Sequence, residues 1–265
     1  MISDDYRDHF QLFLAFFLFK NMKSILRKAH AIYFGLFFCI LFVTLFPLTV
    51  LFLSFEKTKF LGHIINKIHS HVTFFFVPVI YKKEYRFRPS RKENYVFCAN
   101  HSSFLDVPLI FVTISGFFNI IGKASIGDWP LFGYMYKRLY ITVDRKSRKS
   151  GRDSFNYARE SIENNRSMVL FPEGTIPDDN KPNMIRFKDG AFRLAIEKQI
   201  PIVPITMPFN WIIMPDYGQH GYRLKRAKII VHEAIDTKGM TEDDVESLKE
   251  KTRNIIANEI KIQNT

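Results

Sequence analysis

Residues 95–106 read YVFCANHSSFLD. The first five are a short apolar run of the kind a strand buried on both faces requires, and it delivers Asn100, His101, two serines and Asp106 directly after it. The same punctuation recurs outward from this stretch. Apolar runs at 118–122, 139–143, 168–171 and 202–207 predict further strands, and helical patterns at 106–115, 129–137, 151–164 and 190–198 predict helices between them. Asp128 ahead of Trp129-Pro130 reads as an N-cap with Pro in the first turn. Residues 229–232 predict one more strand. A last helix starts near Thr241, whose hydroxyl can cap the amide near Asp244, with Val245, Leu248, Ile255, Ile256 and Ile260 as its apolar stripe. Alternation of strand and helix predicts an α/β fold over 81–265, a mostly parallel sheet flanked by helices.

Residues 1–80 differ in composition. Of 28 Phe, 16 precede residue 80, and residues 1–95 carry 14 Lys/Arg against 6 Asp/Glu, so +8 of the chain's net +12 lies there. With 47% hydrophobic and 15% aromatic residues, disorder is excluded. Two cysteines, Cys39 and Cys98, exclude a disulfide framework and argue against a cysteine zinc site. The basic balance implies an anionic partner, and a basic, apolar front end points to a membrane rather than to nucleic acid. Residues 31–55 are 25 uncharged residues, about 37 Å as a helix, enough to cross a hydrocarbon core of about 30 Å. Pro47 inside the run suggests a kink or a re-entrant hairpin. The apolar stretch 10–19 is too short to span, and acidic residues before it disfavour a signal peptide. Met22 is an alternative start. Leu61, Ile64, Ile65 and Ile68 recur at helical spacing, with His63, Asn66, Lys67 and His69 opposite, which predicts an interfacial amphipathic helix over 60–80. His63, His69 and His71 read as its polar face in preference to a metal site.

Four constellations carry chemistry. His101 and Asp106 stand five apart, about 140° around a helix, so they meet only if His101 lies in a turn and Asp106 opens the next helix. Such a pair suits a general base acting on a hydroxyl, although a loop His beside an N-capping Asp reads equally well. Ser102 and Ser103 are candidate nucleophiles, but residues next to His101 usually point away from its ring. Phe171-Pro172-Glu173-Gly174-Thr175 ends a strand at the edge where open α/β sheets bind ligands, or is an ordinary turn. Asp144-Arg145 ends another strand, and Arg145 can hold a phosphate bidentately. Arg186-Phe187-Lys188-Asp189-Gly190 places Lys188 before a helix, where it is either an anion ligand or merely solvated.

Read in order, these residues resemble the glycerolipid acyltransferase family. Its signature is matched by His101 and Asp106, by Asp144-Arg145, by Phe171 to Thr175 and by Val203-Pro204, over roughly residues 81–235. Phe187-Lys188 with Gly190-Ala191-Phe192 matches as well. The resemblance implies that His101 is the catalytic base and Asp106 its orienting partner. It implies that Arg145 binds phosphate, that Glu173, Gly174 and Thr175 form an acceptor loop, and, by a looser match, that Lys123 contacts phosphate. It departs from the family at Ile176, where Arg is usual, and at Leu139-Tyr140, where glycines are common. Arg186 or Lys188 would then supply the missing charge.

The implied activity is transfer of a fatty acyl group from acyl-CoA or acyl carrier protein to the sn-2 hydroxyl of 1-acyl-glycerol-3-phosphate, giving phosphatidic acid for phospholipid synthesis. No metal or cofactor is called for, and the expected partners are the bilayer, a lysophospholipid and the acyl donor. Placement in the inner membrane with the α/β domain facing the cytoplasm follows from a cytosolic donor, with the front segment as a hairpin or embedded in one leaflet. A phosphate-free lyso-amino-acid lipid as acceptor, and a non-catalytic membrane scaffold or anionic-ligand-binding protein, are the alternatives.

Overall fold

The computed structural model describes residues 3–144, 146–177, 182–215 and 225–265, the first eighteen of these and residue 23 as backbone only. Seven strands form one sheet: β1 Tyr81–Tyr85, β2 Val96–Ala99, β3 Phe118–Lys123, β4 Ile141–Val143, β5 Ser167–Leu170, β6 Ile202–Thr206 and β7 Ala227–Val231. Their order is β1-β7-β6-β2-β5-β3-β4. The five strands from β6 to β4 are parallel. β7 is antiparallel to β6, and β1 is parallel to β7, so this pair runs the other way. The expected mostly parallel sheet is present, with β1 as an addition. Its sequence YKKEY puts three consecutive charged residues on an edge, the composition that discourages further pairing and hides a strand from a search for apolar runs.

The sheet is covered on both sides. The helices are α1 Ser3–Leu53, α2 Lys59–Phe76, α3 Asp106–Thr113, α4 Phe132–Leu139, α5 Arg148–Glu163, α6 Gly190–Lys198, α7 Asn210–Ile213 and α8 Val245–Asn264. Alternation along β2 divides the core. Phe97 and Ala99 join a cluster with Phe74, Leu109, Phe111 and Met135 of α2, α3 and α4. Val96 and Cys98 join Ala158, Phe192, Leu248 and Ile256 of α5, α6 and α8. Each of the larger of these side chains, the Val, Ile, Leu, Met and Phe, contributes roughly 1.5–3 kcal/mol when wholly buried.

Two expectations are corrected at α4. Residues 124–128 form a 3-10 turn, and α4 begins only at Phe132, after Leu131 at φ 57°, so Asp128 does not cap it. Leu139 and Tyr140 do not open β4. Leu139 ends α4, and both side chains are buried in the first core. Thr241 and Asp244 form the anticipated cap as a reciprocal capping box.

The N-terminal segment is a helical hairpin. α1 runs unbroken through Pro47, so the reversal comes at the turn Glu56–Thr58 and not at the proline. α2 then returns along α1: Phe37 meets Phe76, the His69 ring meets Phe38, and Leu53 lies against Gly62. The side of α2 that meets the body carries its polar residues. His63 is buried among Phe111, Phe117 and Phe118, Asn66 Nδ2 donates to Tyr140 Oη at 2.8 Å, and Lys67 Nζ donates to the Ile114 and Gly116 carbonyls. His69 Nε2 donates to the Phe38 carbonyl at 3.0 Å. Phe60, Ile64, Ile68, Phe75 and Phe76 are exposed. The inward side of α2 thus mixes His63, Asn66, Lys67 and His69 with the buried Ile65 and Phe74, while a stripe of large apolar side chains faces outward, unlike a helix on a water-soluble protein. Because Phe74 and Val79 lie in the same core as β2, the segments 1–80 and 81–265 share one core.

Candidate active site

The carboxyl ends of the parallel strands lie along one edge, and the sequence places its chemistry there. β2 ends at Ala99 and hands over to His101. The backbone turns so that Asp106 opens α3, and the ring and carboxylate meet: His101 Nδ1 donates to Asp106 Oδ2 at 2.8 Å. Asp106 is fully buried, and its Oδ2 also accepts from the Ser102 and Ser103 amides at 2.7 and 2.9 Å. An ionised carboxylate in that cage fixes the tautomer with the proton on Nδ1. That leaves Nε2, on a ring 16% exposed, as the nitrogen available to a substrate hydroxyl. Neither serine hydroxyl is hydrogen-bonded to this imidazole: Ser102 Oγ is buried without a partner among the described residues. Ser103 Oγ donates to the Met214 carbonyl at 2.6 Å, and Nδ1 is taken by Asp106.

β5 is the neighbour of β2, so the loop Phe171 to Thr175 lies beside the His101 loop. The Phe171 ring stacks on the His101 ring with centroids 4.1 Å apart. Glu173 is buried, and both its oxygens are engaged: Oε1 accepts from the His101 amide at 2.9 Å and Oε2 from the Ile185 amide at 3.1 Å. Its carboxyl thus ties three loops together and is not presented to a ligand. Burial outweighs the two amides and pushes it up to about 7 from an ordinary 4.5. The folded chain therefore holds a proton on Glu173 that the unfolded chain loses above pH 4.5. This stabilisation is fully present below pH 4.5 and is lost as pH rises through about 7. Thermal unfolding of the full chain in detergent should show a decline in stability across that window, at most about 3 kcal/mol. Glu173→Gln should lack this component; an unchanged pH slope in that variant would remove Glu173 as its source.

Gly174 has φ 73°, and a Cβ there would stand 2.8 Å from both Nζ and Cε of Lys188. The loop needs glycine on both counts, and the absence of a side chain lets the Lys188 ammonium lie over it. The Lys188 amide donates to the Pro172 carbonyl at 2.8 Å, which holds the two segments together. Lys123 ends β3 opposite Val143 and is exposed at the same edge, two strands from β2. Arg145 lies outside the described residues. Thr175 and Arg186 are exposed. Two residues were given no role from the sequence. Asn100 holds the end of β2 to the end of β6, donating to the Met207 carbonyl at 3.1 Å and accepting its amide at 2.7 Å. Asn210 donates to Asp106 Oδ1 at 2.7 Å from 104 residues away. The histidines of α2 go to separate places, and no group of three potential metal ligands occurs among the described residues.

Residues 78–208 match the Acyltransferase family. They form an acyltransferase-family domain. The span contains His101, Asp106, Lys123, Glu173 and Lys188, from just before β1 to just past β6. Among curated relatives, a 1-acyl-sn-glycerol-3-phosphate acyltransferase of Chlamydomonas reinhardtii is 30% identical over 200 residues, covering 74% of this chain and 58% of the relative. That of Saccharomyces cerevisiae is 30% identical over 173 residues, covering 64% of this chain and 56% of the relative. The chain thus spans somewhat over half the length of each. The crystal structure of the 1-acyl-sn-glycerophosphate acyltransferase of Thermotoga maritima shares the fold, with a TM-score of 0.70 at 19% identity, over 90% of this chain and 98% of that one. The family match starts at the hairpin's exit, at Pro78, whereas the structural likeness, over 90% of this chain, extends into the hairpin as well.

Proposed function

We propose that this chain transfers a fatty acyl group to the sn-2 hydroxyl of 1-acyl-glycerol-3-phosphate, giving phosphatidic acid. The observation that carries the reading is the buried His101–Asp106 pair, 2.8 Å apart, at a strand edge that also gathers the Glu173 loop and Lys188. His101 Nε2 removes the acceptor's hydroxyl proton as the oxygen attacks the thioester carbonyl. The tetrahedral intermediate expels the thiolate, which takes the proton back from His101. Atoms balance with no covalent enzyme intermediate. The acyl donor is acyl-CoA or acyl carrier protein.

Lys188 supplies the cation that Ile176 does not, with Lys123 and Arg145 as further phosphate ligands. A charge-assisted bond contributes about 1.5–3 kcal/mol. Lys188→Ala should therefore lower kcat/KM for 1-acyl-glycerol-3-phosphate roughly ten- to hundredfold, and should leave a lysolipid without phosphate unaffected. Products from a panel of lysolipids, identified by mass spectrometry, check this. An equal loss on both acceptors would make Lys188 structural. Preferential use of a lyso-amino-acid lipid by the unmodified chain would favour the second reading, for which Ile176 speaks.

The chain works at a membrane in this reading. The span Ser24–Leu53 is 30 residues and largely unburied, and α2 turns its apolar side outward. Phe104, in the His101 loop, and Trp129 and Leu131, after β3, are exposed near the same edge. The hairpin and this rim meet the cytoplasmic leaflet, where a cytosolic donor and a lipid acceptor can both reach His101.

A further inference from the structure

Asp106 has a partner that none of the motifs supplies. Asn210 opens α7 two residues past the end of the family match. It is wholly buried, and its Nδ2 donates to Asp106 Oδ1 at 2.7 Å. The amide nitrogen must face the carboxylate, because an ionised carboxylate only accepts. The two oxygens of Asp106 therefore have separate partners. Oδ2 takes the imidazole and the Ser102 and Ser103 amides, and Oδ1 takes Asn210. The three bonds to Oδ2 converge on one oxygen and resist rotation about the Cβ–Cγ axis from one side only. A bond to Oδ1 from the far side fixes its plane, and with it the direction in which Oδ2 meets Nδ1.

Asn210 is itself held where it stands. The Met214 amide donates to its main-chain carbonyl at 3.0 Å, and the Met214 carbonyl accepts from Ser103 Oγ at 2.6 Å. Immediately before α7, Met207 is gripped on both its backbone groups by Asn100. The short helix after β6 is thereby fastened to the His101 loop from two sides, with Asn210 at the centre of the contact. We propose that Asn210 is a positioning residue for the His101–Asp106 pair, acting through the carboxylate and not on substrate. This rests on the reading of His101 as general base.

The test uses the full chain in detergent, with acyl-CoA and 1-acyl-glycerol-3-phosphate, and measures kcat and both KM values. Asn210→Leu, close in volume and without a donor, should lower kcat about ten- to hundredfold and change each KM less than about twofold. In an Asp106→Asn background the same substitution should change kcat less than about twofold, because the carboxylate it held is gone. Asn210→Ser and Asn210→Ala form a second pair of nearly equal size for use if the leucine variant does not fold. The serine, which keeps a donor, should retain at least about fivefold more kcat than the alanine. Normal kcat in Asn210→Leu, the same loss in the Asp106→Asn background, or equal kcat for serine and alanine would each overturn the assignment. Failure of the broader reading would look different: the unmodified chain would make no phosphatidic acid.

Discussion

His101→Ala is expected to lower acyl transfer by about 10²- to 10⁴-fold while leaving the fold intact. The size follows from the geometry. The ring, 16% exposed and stacked on Phe171, gives up some packing and its bond to Asp106, but no strand or helix depends on it, whereas the proton acceptor is lost outright. Asp106→Asn should approach the same loss. The amide has only one acceptor oxygen for the three donors now on Oδ2, and it cannot stabilise the imidazolium. Groups that act as a unit are not additive, so the double variant should be scarcely slower than His101→Ala alone. Kinetics of thiol release and lipid product by the three variants check this. A folded His101→Ala with near-normal transfer would refute the assignment.

The second large effect concerns the hairpin. Composition alone draws a boundary between 80 and 81, yet a chain beginning at Tyr81 is expected not to fold. It would strip α2 from Phe111, Phe118, Leu139 and Tyr140, and remove Phe74, Val77 and Val79 from the core. At roughly 1.5–3 kcal/mol for each large apolar side chain, uncovering even five of them matches the 5–15 kcal/mol that a typical domain has in total. Full-length protein should stay with membranes through high salt and alkali, since apolar burial and not charge holds it there. Expression of 81–265 followed by sedimentation and a calorimetric scan checks the first claim. A soluble, cooperatively unfolding 81–265 would contradict it.

What could be read from the sequence follows from how each element signals itself. Buried parallel strands are continuous apolar runs, so β2, β3, β5 and β6 were legible to within one residue at either end. The charged edge strand β1 was not, because its register is set by β7, nearly 150 residues on. The pairing of His101 with Asp106 was legible because both sit on one short loop. The role of Glu173 was not: its partners, the amides of His101 and Ile185, come from two other segments that only the folded sheet brings together. Asn210 gives no local signal at all. On α2 the spacing predicted an interfacial helix with its apolar side to the bilayer, but not that its other side packs on Phe111, Phe117, Phe118 and Tyr140, which come from distant segments.

Purified full-length chain, mixed with acyl-CoA in detergent micelles with and without 1-acyl-glycerol-3-phosphate, tests the central claim most directly when thiol release and phosphatidic acid are measured together. The account predicts thiol release only when acceptor is present, one phosphatidic acid per thiol, and neither signal from His101→Ala. Acceptor-independent thiol release at the same rate, or phosphatidic acid formed equally well by His101→Ala, would contradict it.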